Sequence, residues 1–273
     1  MSFDFNRKPA LVAYITCGDP DLRTTRDVAL AAISAGTEVI ELGVPFSDPV
    51  ADGPVIQRAS ERALKSGVSL EQVLALAAQI RRESNAGLIV FTYFNPVLRM
   101  GPEKFAAHAA DAGVDGALIT DLPVEEAAEY LGHMRKRNLA TIFLAAPTST
   151  DERLKRIAEA SSGFVYAVSR TGVTGARKDL PEDAQQLVRR LRKITKLPIA
   201  VGFGISAADQ FAAVGKYADA AVVGSAIVQT IERSPGKEAQ AVAEFIKQLS
   251  AVSHQSSATG SRSQGKRRVA GAD

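Results

Sequence analysis

A chain of 273 residues with 46% apolar and 23% charged side chains has a globular composition, and its length suits one α/β barrel of ~250 residues better than two separate cores. No apolar run approaches the ~20 residues a membrane span needs, Met1 to Pro9 carry no apolar export core, and the single Cys17 cannot close an internal disulfide, which suits a reducing cytoplasm. The net charge of +3 resides wholly in the last 25 residues, where Arg262, Lys266, Arg267 and Arg268 face one acid, Asp273; the body is neutral, so no nucleic-acid partner is expected.

In chain order, the first two strands are expected at 11–16 and 39–42, with Gly36 placed as a helix C-terminal glycine between them. Ser69 and Gln72 have capping-box spacing ahead of a helix at 73–80, and the third strand follows at 88–92. Gly113 closes a helix before the fourth strand at 116–119, and the fifth lies at 140–144. Ser149 and Glu152 repeat the capping spacing before a helix at 154–160; strands six to eight are expected at 165–169, 199–202 and 220–223. Each strand is a near-continuous apolar run, as parallel strands covered on both faces require. Glu38, Asp115 and Asp219 stand in matching turns ahead of strands two, four and eight, a faint internal echo of a helix–turn–strand repeat.

Eight such units complete a single (β/α)8 TIM barrel spanning residues 1–252, with 253–273 expected to form a disordered basic tail rich in Ser, Gly and Gln. An open doubly wound sheet is the alternative, but no Gly-x-Gly-x-x-Gly follows the first strand. In a barrel the chemistry belongs to the C-terminal ends of the strands and the loops beyond them.

Strand two runs through Glu41 into the loop Gly43-Val44-Pro45-Phe46-Ser47-Asp48-Pro49-Val50-Ala51-Asp52. A carboxylate within the run Val39-Ile40-Glu41-Leu42 is costly unless it is paired, neutralised or used, and alternation aims it into the barrel if Ile40 and Leu42 face the helices. Either a hydrogen-bonded structural acid or a catalytic one fits. Asp48 and Asp52 read as turn residues on spacing alone, although Asp52 could reach back over the mouth. Strands seven and eight run into Gly202-Phe203-Gly204-Ile205-Ser206 and Gly224-Ser225-Ala226, positions at which barrels recurrently bind phosphate through backbone N–H groups and a helix N-terminus. The bland alternative is two tight turns with Ser206 as a cap. Residues 169–178, rich in Gly, Thr and basic side chains, suit a lid over the mouth or a passive loop. No lysine stands at a strand end to form a Schiff base, and His108, His133 and His254 have no partner at metal-ligand spacing.

These residues resemble the tryptophan synthase α subunit family. The likeness is carried by the stretch Glu41 to Pro54 and, in order, by Gly18-Asp19-Pro20, Tyr93-Phe94-Asn95-Pro96, Asp121-Leu122-Pro123, Ser169 to Gly175, Gly202 to Ser206 and Gly224 to Val228. It runs from about Leu11 to Ile246. The resemblance implies cleavage of indole-3-glycerol phosphate to indole and glyceraldehyde 3-phosphate, with Glu41 as acid/base and Asp52 as its partner. It further implies Tyr166, Tyr14 and Phe203 around the indole, Thr174 in a closing lid, Asp121 supporting the mouth, and Gly175, Gly204, Gly224 and Ser225 on the phosphate. This chain would need no cofactor, its partner being a PLP-dependent β subunit in an α2β2 assembly. The alternatives are another phosphate-binding barrel, such as indole-3-glycerol phosphate synthase, which should carry lysines at strand ends, or a noncatalytic activator of a β subunit. One departure is the short segment before strand one, where the family often has a helix over the barrel floor.

Overall fold

A computed structural model describes residues 3, 5–168, 182–202 and 204–260, with 252–260 as backbone only. Eight parallel strands close into a barrel in sequence order, β1 (Ala10–Thr16) pairing with both β2 (Val39–Gly43) and β8 (Ala220–Val223). Between them lie β3 (Gly87–Thr92), β4 (Gly116–Ile119), β5 (Ala140–Ala145), β6 (Val165–Val168) and β7 (Ile199–Gly202). The eight predicted strands are therefore all present; β2 extends through Gly43, one residue beyond its expected end.

Side-chain alternation divides the apolar residues into two layers. Leu11, Ala13, Ile15, Ile40, Leu42, Leu88 and Val90 pack outward under the helices, while Val12, Val39, Ile89, Leu118, Ile142 and Phe164 fill the cylinder. The floor is closed by aromatic packing: Phe3 and Phe5 lie with ring centroids 5.6 and 5.8 Å from Phe164. Two phenylalanines before β1 thus fill the place for which the short N-terminal segment offered no helix.

The acidic turns repeat for a physical reason. The carboxylates of Glu38, Asp115 and Asp219 accept the backbone N–H of Leu11, Leu88 and Ile199 at 3.2, 2.8 and 2.8 Å. Each acid's own N–H donates back to the carbonyl of that same residue. An acid ahead of β2, β4 and β8 so satisfies the first turn of pairing on its odd neighbour, where an orphaned buried N–H would be costly. Ahead of β6 the hydroxyl of Ser162 does the same, accepting Thr141 N–H at 3.0 Å. Arg81 and Arg192 neutralise Asp115 and Asp219 from outside.

Helix ends follow local chemistry. Asp21 caps α1 (Leu22–Ser34), Pro54 opens α2 (Pro54–Lys65), and Ser69 with Gln72 forms the expected capping box on α3 (Leu70–Arg81). Next come α4 (Phe94–Met100), α5 (Pro102–Asp111), α6 (Ala128–Lys136) and α7 (Asp151–Ala160). The cap of α7 is Thr150, whose side chain accepts from Arg153 N–H, so the expected Ser149 box is displaced by one residue. Completing the described ring are α8 (Glu182–Arg192), α9 (Ala208–Val214), α10 (Ser225–Arg233) and α11 (Glu238–Gly260), the last packed across α1, α9 and α10. Helical backbone in α11 continues past Ser253, where an unstructured tail was expected to begin; residues 261–273 lie outside the described residues. Among the described residues no helix is long and apolar enough to cross a membrane.

Candidate active site

Glu41 pairs in register with Tyr14 of β1 and Ile89 of β3 and points into the cylinder, as the outward packing of Ile40 and Leu42 requires. Because β2 runs two residues beyond it, Glu41 hangs below the rim, with 0% of its surface exposed. Neither carboxyl oxygen has a hydrogen-bond partner among the described residues. A structural acid in an apolar interior would be hydrogen-bonded, because an isolated carboxylate there is strongly disfavoured. Burial instead pushes its pKa up to about 8, so Glu41 is largely protonated at neutral pH.

Asp52 comes from the loop that enters α2. Its carboxylate accepts the Tyr93 hydroxyl at 3.0 Å, and its backbone is tied by N–H to Pro49 O at 3.0 Å and by Gln57 Nε2 at 2.8 Å. Burial raises its pKa and the Tyr93 hydrogen bond pulls it back, leaving it at about 6. At pH 7 the two carboxyls therefore stand in opposite states, one mostly neutral and one mostly ionised. Asp48 stays on the exposed loop surface, its carboxylate accepting the Ser47 hydroxyl at 2.6 Å and its carbonyl the Val50 N–H at 2.8 Å, and keeps its turn reading.

Tyr14 and Tyr166 bring the two acids into one chamber. Both phenols are held well above their usual pKa by burial first and then by the charges of Asp52 and Glu41. The tyrosine rings need glycine opposite them: a methyl group on Gly43 would collide with the Tyr14 hydroxyl, and one on Gly202 with that of Tyr166. Phe91 meets Tyr14 edge-on at 5.1 Å, adding an aromatic wall that the sequence reading did not single out.

The glycine turns open at the same end. Gly224 caps the N-terminus of α10, and a Cβ on it would meet the Tyr14 Cβ at 3.4 Å, so this turn adjoins the chamber. Ser225 Oγ is buried and without a partner among the described residues. Gly204 has φ of +67°, a left-handed conformation that only glycine takes without strain. Ser206 is not the cap of α9; Ala207 is, and Gln210 Oε1 accepts the N–H groups of both Ser206 and Ala207 at 2.9 and 3.2 Å. Asp121 lies at the mouth but faces backbone, accepting Phe94 N–H at 2.6 Å and so capping α4 from outside. Phe203, Thr174 and Gly175, with the lid expected over 169–178, lie outside the described residues.

Buried Glu41, Asp52, the rings of Tyr14 and Tyr166 and the Gly224 turn into α10 thus gather at one end of the closed barrel. The family model described as tryptophan synthase alpha chain matches residues 3–258. The chain belongs to that family. The tryptophan synthase alpha chain of Solibacter usitatus is 53% identical over 229 residues, covering 84% of this chain and 85% of the relative. That of Geotalea daltonii is 48% identical over 233 residues, covering 85% and 88%. Among solved structures, Mycobacterium tuberculosis tryptophan synthase superposes with a TM-score of 0.84 at 39% identity, covering 89% of this chain and 92% of that one. The tryptophan synthase complex of Pyrococcus furiosus gives 0.84 at 38%, covering 90% and 99%.

Proposed function

We propose that Glu41 and Asp52 drive retro-aldol cleavage of indole-3-glycerol phosphate to indole and glyceraldehyde 3-phosphate, the lyase reaction of the tryptophan synthase alpha chain. Glu41 in its acid form donates a proton to indole C3, leaving positive charge on the ring nitrogen. Asp52, ionised, accepts a hydrogen bond from the ring N–H and stabilises that charge. The Glu41 carboxylate so formed then removes the proton from the hydroxyl on the carbon attached to C3. As that carbon becomes an aldehyde, the C3–C bond breaks and its electron pair restores the aromatic ring. Glu41 ends protonated, ready for another turnover.

The observation that carries this reading is the opposed state of two carboxyls in one chamber, a fully buried acid raised to about 8 beside a carboxylate at about 6. Diverging values of this kind sort an acid from a charged stabiliser. Tyr14 and Tyr166 line the indole slot and Asp121 holds the mouth through α4; the family resemblance assigns Phe203 to the same slot and Thr174 to a lid, both outside the described residues. Gly224 and Ser225 bind the phosphate at the dipole-favoured end of α10, with Gly204 from the loop after β7, chiefly through backbone N–H groups; the resemblance adds Gly175, outside the described residues. The natural partner is a PLP-dependent β subunit in a cytoplasmic α2β2 assembly. Val50, 86% exposed at the tip of the Asp52 loop, gives that face an apolar contact point.

Purified protein incubated with indole-3-glycerol phosphate is expected to release indole at a steady rate, faster once a β subunit is added. No indole under either condition would overturn the reading. Inorganic phosphate and glycerol 3-phosphate are expected to compete with substrate and to give saturable heats in calorimetry; without such binding, Gly224 and Ser225 form a turn and not a cradle.

A further inference from the structure

The motif Tyr93-Phe94-Asn95-Pro96 carries part of the family likeness, yet the reaction as written uses none of its side chains. Tyr93 stands just beyond β3 at the N-cap position of α4, where its own side chain makes no capping bond. The capping duty falls to Asp121, which leaves the phenol free to turn toward the loop between β2 and α2. Its ring is 3% exposed and stacks on Phe46 with centroids 4.9 Å apart and planes 28° from parallel. Its hydroxyl accepts the Ala51 N–H at 3.0 Å and donates to Asp52 Oδ2 at 3.0 Å. One phenol therefore grips the loop three ways: by stacking, by the backbone of residue 51 and by the carboxylate of residue 52.

We propose that Tyr93 is the positioning residue of the reaction, fixing the rotamer of Asp52 so that Oδ2 is occupied and Oδ1 is presented to the ring N–H of the substrate. The inference rests on the reading of Asp52 as partner of that N–H. Both ends of the bond are anchored in rigid elements: Tyr93 is seated between β3 and α4, and Asp52 sits one residue before the N-cap of α2. A carboxylate on a loop between two prolines, Pro49 and Pro54, with no such tie would sample several rotamers, and small misplacements of a charge-stabilising group are costly to rate. The O–H donor also favours the ionised carboxylate against the burial that disfavours it. Tyr93 thus sets both the direction and the charge of Asp52 without touching substrate.

Tyr93→Phe keeps the ring and its stack on Phe46 and removes both hydroxyl bonds. The expected result is a kcat/KM about tenfold lower, the effect of one lost hydrogen bond to a charged group, with the acid limb of the pH profile moved to higher pH. Where that limb falls does not depend on how much of the sample is active, so partial unfolding of the variant cannot imitate the shift. In an Asp52→Asn background the same substitution should cost much less than tenfold, because the carboxylate it serves is gone. If Asp52→Asn alone works at the wild-type rate, the reading of Asp52 fails. If Asp52→Asn is impaired while Tyr93→Phe leaves the acid limb in place, Tyr93 is a packing residue and this inference fails.

Discussion

Glu41→Gln is expected to lower kcat by ~10²–10⁴-fold, the range that general acid–base groups contribute, while KM for indole-3-glycerol phosphate changes little. The amide matches the carboxyl in shape, so the cylinder around Tyr14 and Ile89 stays packed, but it neither gives C3 a proton nor takes one from the hydroxyl. The wild-type kcat/KM should rise with pH as Asp52 ionises near 6 and fall as Glu41 loses its proton near 8. In the variant the alkaline limb should vanish with the acid that produces it. Steady-state kinetics across pH 5 to 9 check both, and near-normal turnover would remove Glu41 from the mechanism.

Stability provides an independent reading of the same group. The folded-state pKa of Glu41 lies above its unfolded value of about 4.3, so the native state holds the proton more tightly. Its contribution to stability is complete below the unfolded value and is lost as pH rises toward 8. Melting temperatures of the wild-type protein should accordingly decline between pH 5 and 8 relative to those of Glu41→Gln, which has no proton to lose there. A variant that simply misfolds would be the less stable protein across the whole range.

The strands were legible because each is a β-branched or apolar run, most of them bounded by glycine or an acid, and the direction of Glu41 followed from alternation with Ile40 and Leu42. The depth of Glu41 was not legible, since nothing local says that β2 continues through Gly43. The cap of α7 slipped by one because Ser149 and Thr150 are both competent caps and only the chain path chooses between them. The tertiary bonds of Tyr93 and Asp121 were hidden for a different reason, although Asp121 was already placed at the mouth. Their partners, Asp52 and the Phe94 N–H, lie 41 and 27 residues away, and a bond closed by tertiary packing leaves no periodic trace. The tyrosine–glycine pairs, Tyr14 over Gly43 and Tyr166 over Gly202, are invisible for the same cause. In each pair the missing side chain on one strand is what admits the ring from the next.

Asp52→Asn is the other substitution of large expected effect, lowering kcat by ~10²-fold, equivalent to about 3 kcal/mol of transition-state stabilisation. Asparagine preserves the geometry: its side-chain oxygen still accepts the Tyr93 hydroxyl, and the backbone bonds to Pro49 and from Gln57 do not involve the carboxyl. What disappears is charge. The ring N–H is a neutral donor in the bound substrate and a cationic one after C3 is protonated, so a carboxylate strengthens its bond during the reaction whereas an amide does so far less. The loss should consequently fall on kcat more than on KM, and the acid limb near pH 6 should disappear while the alkaline limb near 8 remains. Glu41→Gln and Asp52→Asn would then remove opposite limbs of one bell-shaped profile. If both substitutions erased the same limb, the division of labour between the two carboxyls would be wrong even with each still required for turnover.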